Sequence, residues 1–347
     1  MSEVSHPNSP TSPLHTALVS FLARYQPTQT LTTPWTIAYS GGLDSTVLLH
    51  ALATFAPEPF PLAAVHVQHG LSPHAGNWAS HCERFCQSLD IPLQVVKIQP
   101  PRSRGTGPEA AARHARYAAL TQAAKNIWLA HHREDQAETV LLRLLRGCGT
   151  HGAGGMAEQS TYGESTLWRP LLHIPSAELL HYAHTHHLSW IEDESNDNTT
   201  FARNYLRHNV YPLLEERFAA TANLARFASH SREAAALLDE LALIDQASCA
   251  VADTPKPDTL ATLAISTFLA LSEVRQKNLL RYLLRQAGAY APATVRLQEA
   301  LRQLRLATTR RGLRRWSLGA VDLCATRDTV YMQRSPRTNH ASSSQAD

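Results

Sequence analysis

Trp35-Thr36-Ile37-Ala38-Tyr39-Ser40-Gly41-Gly42-Leu43-Asp44-Ser45-Thr46-Val47-Leu48-Leu49 is the stretch from which the fold is read. An apolar run, a Ser-Gly-Gly turn and a series of good helix formers follow one another without a spacer, which spells strand, tight turn and helix. Paired glycines let the backbone turn sharply and expose successive N–H groups, and the helix start adds further donors and positive potential. The turn therefore reads as a phosphate cradle. It is not a Walker loop, because the G-x-x-x-x-G-K-[ST] pattern and any nearby lysine are missing, and it is not the dinucleotide fingerprint. Ser40 and Ser45 contribute hydroxyls, and Asp44 a carboxylate suited to hold Mg²⁺ against pyrophosphate oxygens. On local physics alone, an ordinary turn explains Ser-Gly-Gly as well as a binding loop does.

Outward from this segment, short β-rich runs alternate with helical patterns. Strands are predicted over Trp35–Tyr39, Leu62–Val67, Leu93–Ile98 and Ile127–Ala130, and helices over Ser45–Phe55, Asn77–Leu89, Glu109–Ala124 and Asp135–Arg146. That alternation predicts an α/β domain, a parallel sheet with helices on both faces. Ligands of such sheets sit beyond the carboxyl ends of the strands, which singles out the loops starting near Ser40, His66 and His131. After Tyr211-Pro212 the pattern becomes nearly continuous helix over Leu213–Ala247, then a Pro/Asp-containing break at Ala252–Asp258, then a smaller, mostly helical unit with helices near Ser272–Ala287 and Ala293–Leu306 and strands at its end. The expected organisation is a disordered tail over 1–13, an α/β domain over 14–215, a helical linker over 216–258, a second domain over 259–334 and a disordered tail over 335–347.

Composition bounds the rest. The chain has 347 residues, 44% hydrophobic and 18% charged, enough to build a sizeable core. No run reaches the roughly 18 apolar residues of a membrane span, and Met1–Pro13 lacks the basic-then-apolar order of a secretory signal. Five cysteines without paired spacing suit a reducing, cytoplasmic setting. A net charge of +3 does not by itself mark a nucleic-acid binder. Nineteen histidines invite a metal reading, but His131 and His132 are adjacent and neither HExxH nor a Cys/His set has zinc spacing.

Several blocks carry a family resemblance. Ser40-Gly41-Gly42-Leu43-Asp44-Ser45 resembles the SGGxDS loop of the pyrophosphate-loop family, ATP pyrophosphatases of the adenine nucleotide alpha hydrolase-like, Rossmann-like fold. Val65-His66-Val67-Gln68-His69-Gly70-Leu71, Glu109 with Arg113, Arg116 and Tyr117, His131-His132-Arg133-Glu134-Asp135-Gln136-Ala137-Glu138-Thr139 running on to Arg143, Arg146, Gly147 and Gly149, and Asp193-Glu194-Ser195-Asn196 through Phe201, Arg203, Asn204 and Arg207 to Pro212 are similar to the tRNA(Ile)-lysidine synthetases within it. The resemblance covers Ala17–Pro212 well and Ser266–Gln333 more weakly. It implies a ligase that adenylates C2 of the wobble cytidine of a CAU-anticodon tRNA(Ile) with ATP and Mg²⁺, then joins free L-lysine to it. The product reads AUA rather than AUG and carries isoleucine rather than methionine identity. No membrane is implied as a partner, and a homodimer is one expected assembly.

Ser40, Gly41, Gly42, Leu43, Asp44, Ser45 and His66 are the expected nucleotide-binding residues, with Asp44 as the Mg²⁺ ligand. Asp135 and Glu138 stand three apart at a helix start, so both carboxylates can face one ammonium group; a plain dipole-stabilising role is the simpler alternative. The resemblance implies that Arg113, Asp135 and Glu138 place the lysine. Asp44 and Asp135 are the expected catalytic residues, Asp135 as one of several candidate proton acceptors. Arg143 and Arg146 with the glycine-rich Gly147–Gly155, and Arg203 with Arg207, are candidates for gripping RNA phosphates; a flexible loop is the plain reading of the glycines. Arg302, Arg305, Arg310, Arg311, Arg314, Arg315 and Trp316 offer either phosphate contacts or a solvated face. Glu134 departs from the family's usual aspartate and Glu194 from a common proline, neither being expected to touch Asp135, Glu138 or the loop. The extra C-terminal domain of longer members is expected to be absent. The alternatives are a tRNA thiolase of the same superfamily, for which Cys82 and Cys86 have the wrong spacing, and a non-catalytic ATP sensor.

Overall fold

The computed structural model describes residues 12–25, 34–55, 61–68, 75–98, 108–193, 198–251, 259–289, 294–307 and 313–335. His69, Gly70, Leu71, Glu194, Ser195, Asn196, Arg310, Arg311, the predicted break over 252–258 and almost all of both predicted tails lie outside these residues, and of Glu109 only the backbone is described.

The first unit is built on a six-stranded sheet: β1 (Trp35–Ala38), β2 (Leu62–Gln68), β3 (Leu93–Lys97), β4 (Asn126–Trp128), β5 (Gln159–Tyr162) and β6 (Ser165–Trp168), in the order β3-β2-β1-β4-β6-β5. All neighbours are parallel except the β5–β6 hairpin. The helices are α1 (Pro13–Tyr25), α2 (Leu43–Phe55), α3 (Ala75–Ser88), α4 (Pro108–Ala123), α5 (Arg133–Leu145), α6 (Thr150–Ala153), α7 (Ser176–Thr185), α8 (Ala202–Tyr205) and α9 (Tyr211–Phe218). Strand alternation sorts the two layers. Ile37, Ala64 and Trp128 face a core shared with α1, α2, α3 and α7, whereas Ala38, Val65, Ile127 and Leu129 face one shared with Tyr117 and Leu120 of α4. Helices therefore cover both faces. From β1 the chain proceeds outward through β2 and β3 and returns to place β4 on the other side of β1, so the crevice of this sheet opens between the carboxyl ends of β1 and β4.

Predicted strand and helix boundaries in this unit differ from the observed ones by one or two residues at most ends. Absent from the prediction were α1, α6, α7 and the β5–β6 hairpin. The predicted continuous helix over Leu213–Ala247 is interrupted at Ala219, whose φ of +45° ends α9 before α10 (Ala220–Ser248) begins.

The division into two compact units falls within α10, between Ser231 and Arg232. The second unit contains β7 (Thr259–Ala264), α11 (Ile265–Ala270), α12 (Glu273–Gln286), α13 (Thr294–Ala307), β8 (Arg314–Ser317), β9 (Val321–Ala325) and β10 (Thr329–Arg334). Its strands form an antiparallel sheet in the order β7-β10-β9-β8, so β7 joins the C-terminal strands that the sequence predicted. Leu279, Leu280, Leu283 and Leu284 of α12 and Leu297, Leu301 and Leu304 of α13 pack against Leu323, Val330 and Met332.

Candidate active site

Beyond β1 the chain turns through Gly41 at φ +87°, a conformation costly for any residue with a side chain. A Cβ there would also lie 2.6 Å from Ile191 and 2.9 Å from the Cys82 sulfur. The turn is braced from within. Gly42 N donates to Ser40 Oγ at 3.3 Å, Ser40 and Ser45 hydroxyls meet at 3.0 Å, and Ser45 Oγ donates to Gly42 O at 3.1 Å. This closed circuit gives the two hydroxyls, expected as donors to phosphate, partners within the loop, which they preorganise. The N–H groups in the first turn of α2, which have no intrahelical acceptor, are further donors for an anion. His66 is buried beneath the loop, its Nδ1 donating to Tyr39 O at 3.0 Å, so it supports the turn from below.

Beyond β4, His131 and His132 lead into α5, whose first turn is closed by His132 N donating to Asp135 Oδ2 at 3.1 Å. The His132 ring joins three carboxylates. Its Nε2 lies 3.5 Å from both Asp44 Oδ2 and Asp135 Oδ2, and its Nδ1 lies 3.0 Å from Glu134 Oε2. Burial alone would lower its pKa, but hydrogen bonds to Asp44 and Glu134 and the charge of Asp135 push it up to about 10. Glu134, itself fixed by Ser176 N at 2.9 Å, thus stands one imidazole away from both Asp44 and Asp135, closer to the site than its sequence position suggested.

A pH dependence follows from the sign of this shift. An imidazole whose folded pKa is raised stabilises the fold fully below its unfolded value of about 6.5 and loses that contribution as pH rises through about 10. Metal-free protein is expected to lose stability across this window, by at most about 1.4 kcal/mol per pH unit. In urea unfolding at stepped pH, His132→Gln should flatten the slope; an unchanged slope would refute the assignment.

Asp135 and Glu138 share one face of α5 as the spacing predicted, but that face is occupied. Arg203 donates to Asp135 Oδ1 at 2.9 Å and to Glu138 Oε2 at 2.7 Å, and Arg207 donates to Glu138 Oε1 at 2.6 Å and Oε2 at 3.0 Å. The two arginines come from α8 and the π-helical turn Leu206–Val210, an irregularity of the kind that recurs at functional sites. Arg203 and Arg207, expected as candidates for gripping RNA phosphates, are engaged by carboxylates in this structure. Asp135 is also a poor proton acceptor: burial would raise its pKa, but His132, Arg203 and His131 hold its carboxyl well below the ordinary range.

Arg143, expected as a candidate RNA contact, is engaged within the fold. Its Nη1 donates to Gly152 O at 3.1 Å and to Gly155 O at 2.8 Å, while the Gln136 amide clamps Met156 through both backbone groups at 2.7 and 2.8 Å. The glycine-rich stretch is therefore a folded cap on α5. Gly155, at φ +63°, must lack a Cβ, which would lie 2.6 Å from Gln136 Oε1. Arg146 is exposed at the end of α5. Arg113 donates to the Tyr117 hydroxyl at 3.4 Å. In the second unit Arg302 pairs with Glu299, Arg305 with Glu273, and Arg315 with Asp322. Cys82 and Cys86 are buried, their thiols pushed up by burial to about 12 and about 11, which suits packing rather than sulfur transfer.

Among the described residues no three His, Cys, Asp or Glu groups converge as a closed metal cage. One carboxylate beside a phosphate loop does fit Mg²⁺, which is held by one or two carboxylates together with substrate phosphates. Asp44, 37% exposed in its side chain, is the carboxylate that would hold it. No helix among the described residues is long and apolar enough to cross a membrane.

This phosphate-binding turn at the switch point of a parallel sheet defines a PP-loop domain, whose family model matches residues 15–214. A second model, the TilS substrate binding domain, matches residues 263–331. The chain is 48% identical over 256 residues to the tRNA(Ile)-lysidine synthase of Pseudomonas fluorescens, covering 72% of this chain and 57% of that protein. It is 43% identical over 301 residues to that of Aromatoleum aromaticum, covering 86% and 68%. It therefore belongs to the tRNA(Ile)-lysidine synthase family, while spanning 57% and 58% of the Pseudomonas fluorescens and Burkholderia mallei relatives. A U34-tRNA thiolase from Methanococcus maripaludis shares the fold, with a TM-score of 0.50 at 16% identity over 62% of this chain and 77% of that one.

Proposed function

We propose that this chain is a cytoplasmic ligase that joins free L-lysine to the wobble cytidine of a CAU-anticodon tRNA(Ile), using ATP and releasing AMP and pyrophosphate. The observation that carries this reading is the meeting of Asp44 of the phosphate loop with Asp135 at one imidazole, His132, beyond the adjacent parallel strands β1 and β4. A nucleotide held on the loop thereby faces the carboxylates of α5. The matches to a PP-loop domain and to the TilS substrate binding domain support the same reading.

The chemistry demands activation, because the C2 oxygen of cytidine is a poor leaving group and AMP a good one. Loop N–H groups and the start of α2 stabilise the charge that develops on pyrophosphate. Mg²⁺ at Asp44 would supply further charge neutralisation there. His132 fixes Asp44 and Asp135 relative to each other, and Asp135 and Glu138 offer the negative pair that the lysine ammonium needs, once Arg203 and Arg207 release it. Those arginines are then available to RNA phosphates. Arg113 serves the amino acid and Arg146 the RNA. The domain plan of a catalytic unit over 14–215, a helical linker over 216–258 and a tRNA-binding unit over 259–334 is part of this proposal.

The test is incorporation of radiolabelled lysine into an isoleucine tRNA transcript bearing CAU, with ATP and Mg²⁺ and a methionine tRNA as control. Labelling confined to the isoleucine transcript is expected. Pyrophosphate release without labelling would point to a different nucleophile, and no ATP turnover at all would favour a nucleotide sensor.

A further inference from the structure

Glu134 is drawn into the site by two bonds that the chemistry proposed above does not use. It stands in the first turn of α5, where its Oε2 lies 3.0 Å from His132 Nδ1 and accepts from Ser176 N, at the start of α7, at 2.9 Å. The other ring nitrogen, Nε2, stands 3.5 Å from Asp44 Oδ2 and 3.5 Å from Asp135 Oδ2. The ring between them is buried.

A carboxylate at Nδ1 selects one orientation of an imidazole that can otherwise turn over, because a ring rotated by half a turn would set carbon, not nitrogen, against it. With Nδ1 so held, Nε2 is delivered to the gap between Asp44 and Asp135. The two acids depend on that delivery unequally. Asp135 is also held by His132 N at 3.1 Å and by Arg203 at 2.9 Å, whereas Asp44 is 37% exposed in its side chain. Loss of the ring's orientation therefore falls on Asp44, the acid assigned to the pyrophosphate chemistry.

We infer that Glu134 is a positioning residue for ATP cleavage: through His132 Nδ1 it orients the ring that sets Asp44, independently of its tie to α7. The inference rests on the function proposed above. The plain alternative is a fastener between α5 and α7, or an anion at two helix starts. Two observations speak against it. Arg133 N donates to Ile174 O at 3.0 Å, so a backbone bond already joins the two segments. Leu179 and Ala183 of α7 are fully buried in the core that also holds Leu48, Leu49 and Leu52 of α2, so α7 is anchored along its length without Glu134.

The experiment measures tRNA-dependent pyrophosphate release, ATP binding by equilibrium dialysis and melting temperature in the full chain, with Glu134→Ala and Ser176→Pro. Proline is tolerated at the first position of a helix, and Pro175, at φ −64° and ψ 143°, already has the backbone that a following proline requires, so Ser176→Pro deletes the N–H and little else. Glu134→Ala is expected to lower kcat about ten- to a hundredfold with ATP binding nearly unchanged, the size of loss found when an outer partner of a working group is removed. Ser176→Pro should leave kcat nearly unchanged, since the bond to Nδ1 survives. A fall in Ser176→Pro as large as in Glu134→Ala would make Glu134 a fastener and overturn the inference. In a His132→Gln background Glu134→Ala should cost nothing further, as expected of two groups that act as one unit, and a full additional loss overturns the inference too. If Glu134→Ala fails to fold, Glu134→Met, which keeps the length of the arm without the carboxylate, takes its place with the same outcomes. No pyrophosphate release by the unaltered protein would instead overturn the proposed function, and this inference with it.

Discussion

Asp44→Ala is expected to reduce tRNA-dependent pyrophosphate release by at least about a hundredfold, the size of effect seen when a preorganised electrostatic group is removed from a transition state. The side chain is 37% exposed in the first turn of α2 and lies 3.5 Å from His132 Nε2, so its loss takes from the fold a dipole interaction of roughly 0.5 to 1 kcal/mol and its share of the His132 pairing. Stability should fall modestly and activity almost completely: a variant that still melts as a folded protein and has almost no turnover. Asp44→Asn keeps the shape and removes the charge, and it should be as inactive as the alanine variant if charge is what the site needs. Release within tenfold of the unaltered protein, by a folded Asp44→Ala, would exclude Asp44 from the metal and phosphate chemistry assigned to it.

The place of Asp44 at a helix start beyond β1 was legible in sequence because its signals are local. An apolar run, two glycines and a helix start within a dozen residues leave little freedom for the backbone, and four strands, the central β1 among them, and four helices emerge near their predicted positions for the same reason. The i,i+3 placement of Asp135 and Glu138 was legible too, since helix geometry alone puts them on one face. Their partners were not. Arg203 and Arg207 lie 65 to 72 residues further along the chain, and nothing local distinguishes an arginine bound for RNA from one that folds back on a carboxylate. The β5–β6 hairpin was missed because its strands have only four residues each, Gln159-Ser160-Thr161-Tyr162 and Ser165-Thr166-Leu167-Trp168, too short and too polar to signal strands. The glycine-rich stretch read as flexible because glycine content reports backbone freedom, whereas its order comes from Gln136 and Arg143, side chains of a preceding helix.

Glu138→Ala is expected to have the larger effect on stability, about 3 kcal/mol, with a lowered melting temperature and a lowered urea midpoint. Glu138 is 3% exposed and accepts three hydrogen bonds, from Arg203 Nε and from Nε and Nη2 of Arg207. Its removal leaves two guanidiniums facing Asp135 alone. Arg207, with 38% of its side chain exposed, can turn toward water, while Arg203 at 22% is more confined, which places the loss at the low end for a broken buried pair. The same geometry sets a condition on the proposed reaction. An ammonium group can take its place on Asp135 and Glu138 only in exchange for the guanidiniums, and RNA phosphates are anions able to receive the arginines so released. Glu138→Ala should therefore raise the lysine KM while ATP binding stays measurable, because the phosphate loop beyond β1 is braced by Ser40, Ser45 and Gly42 without help from Glu138. ATP binding and lysine use falling together, in a variant whose melting curve still shows a folded protein, would refute this division of roles.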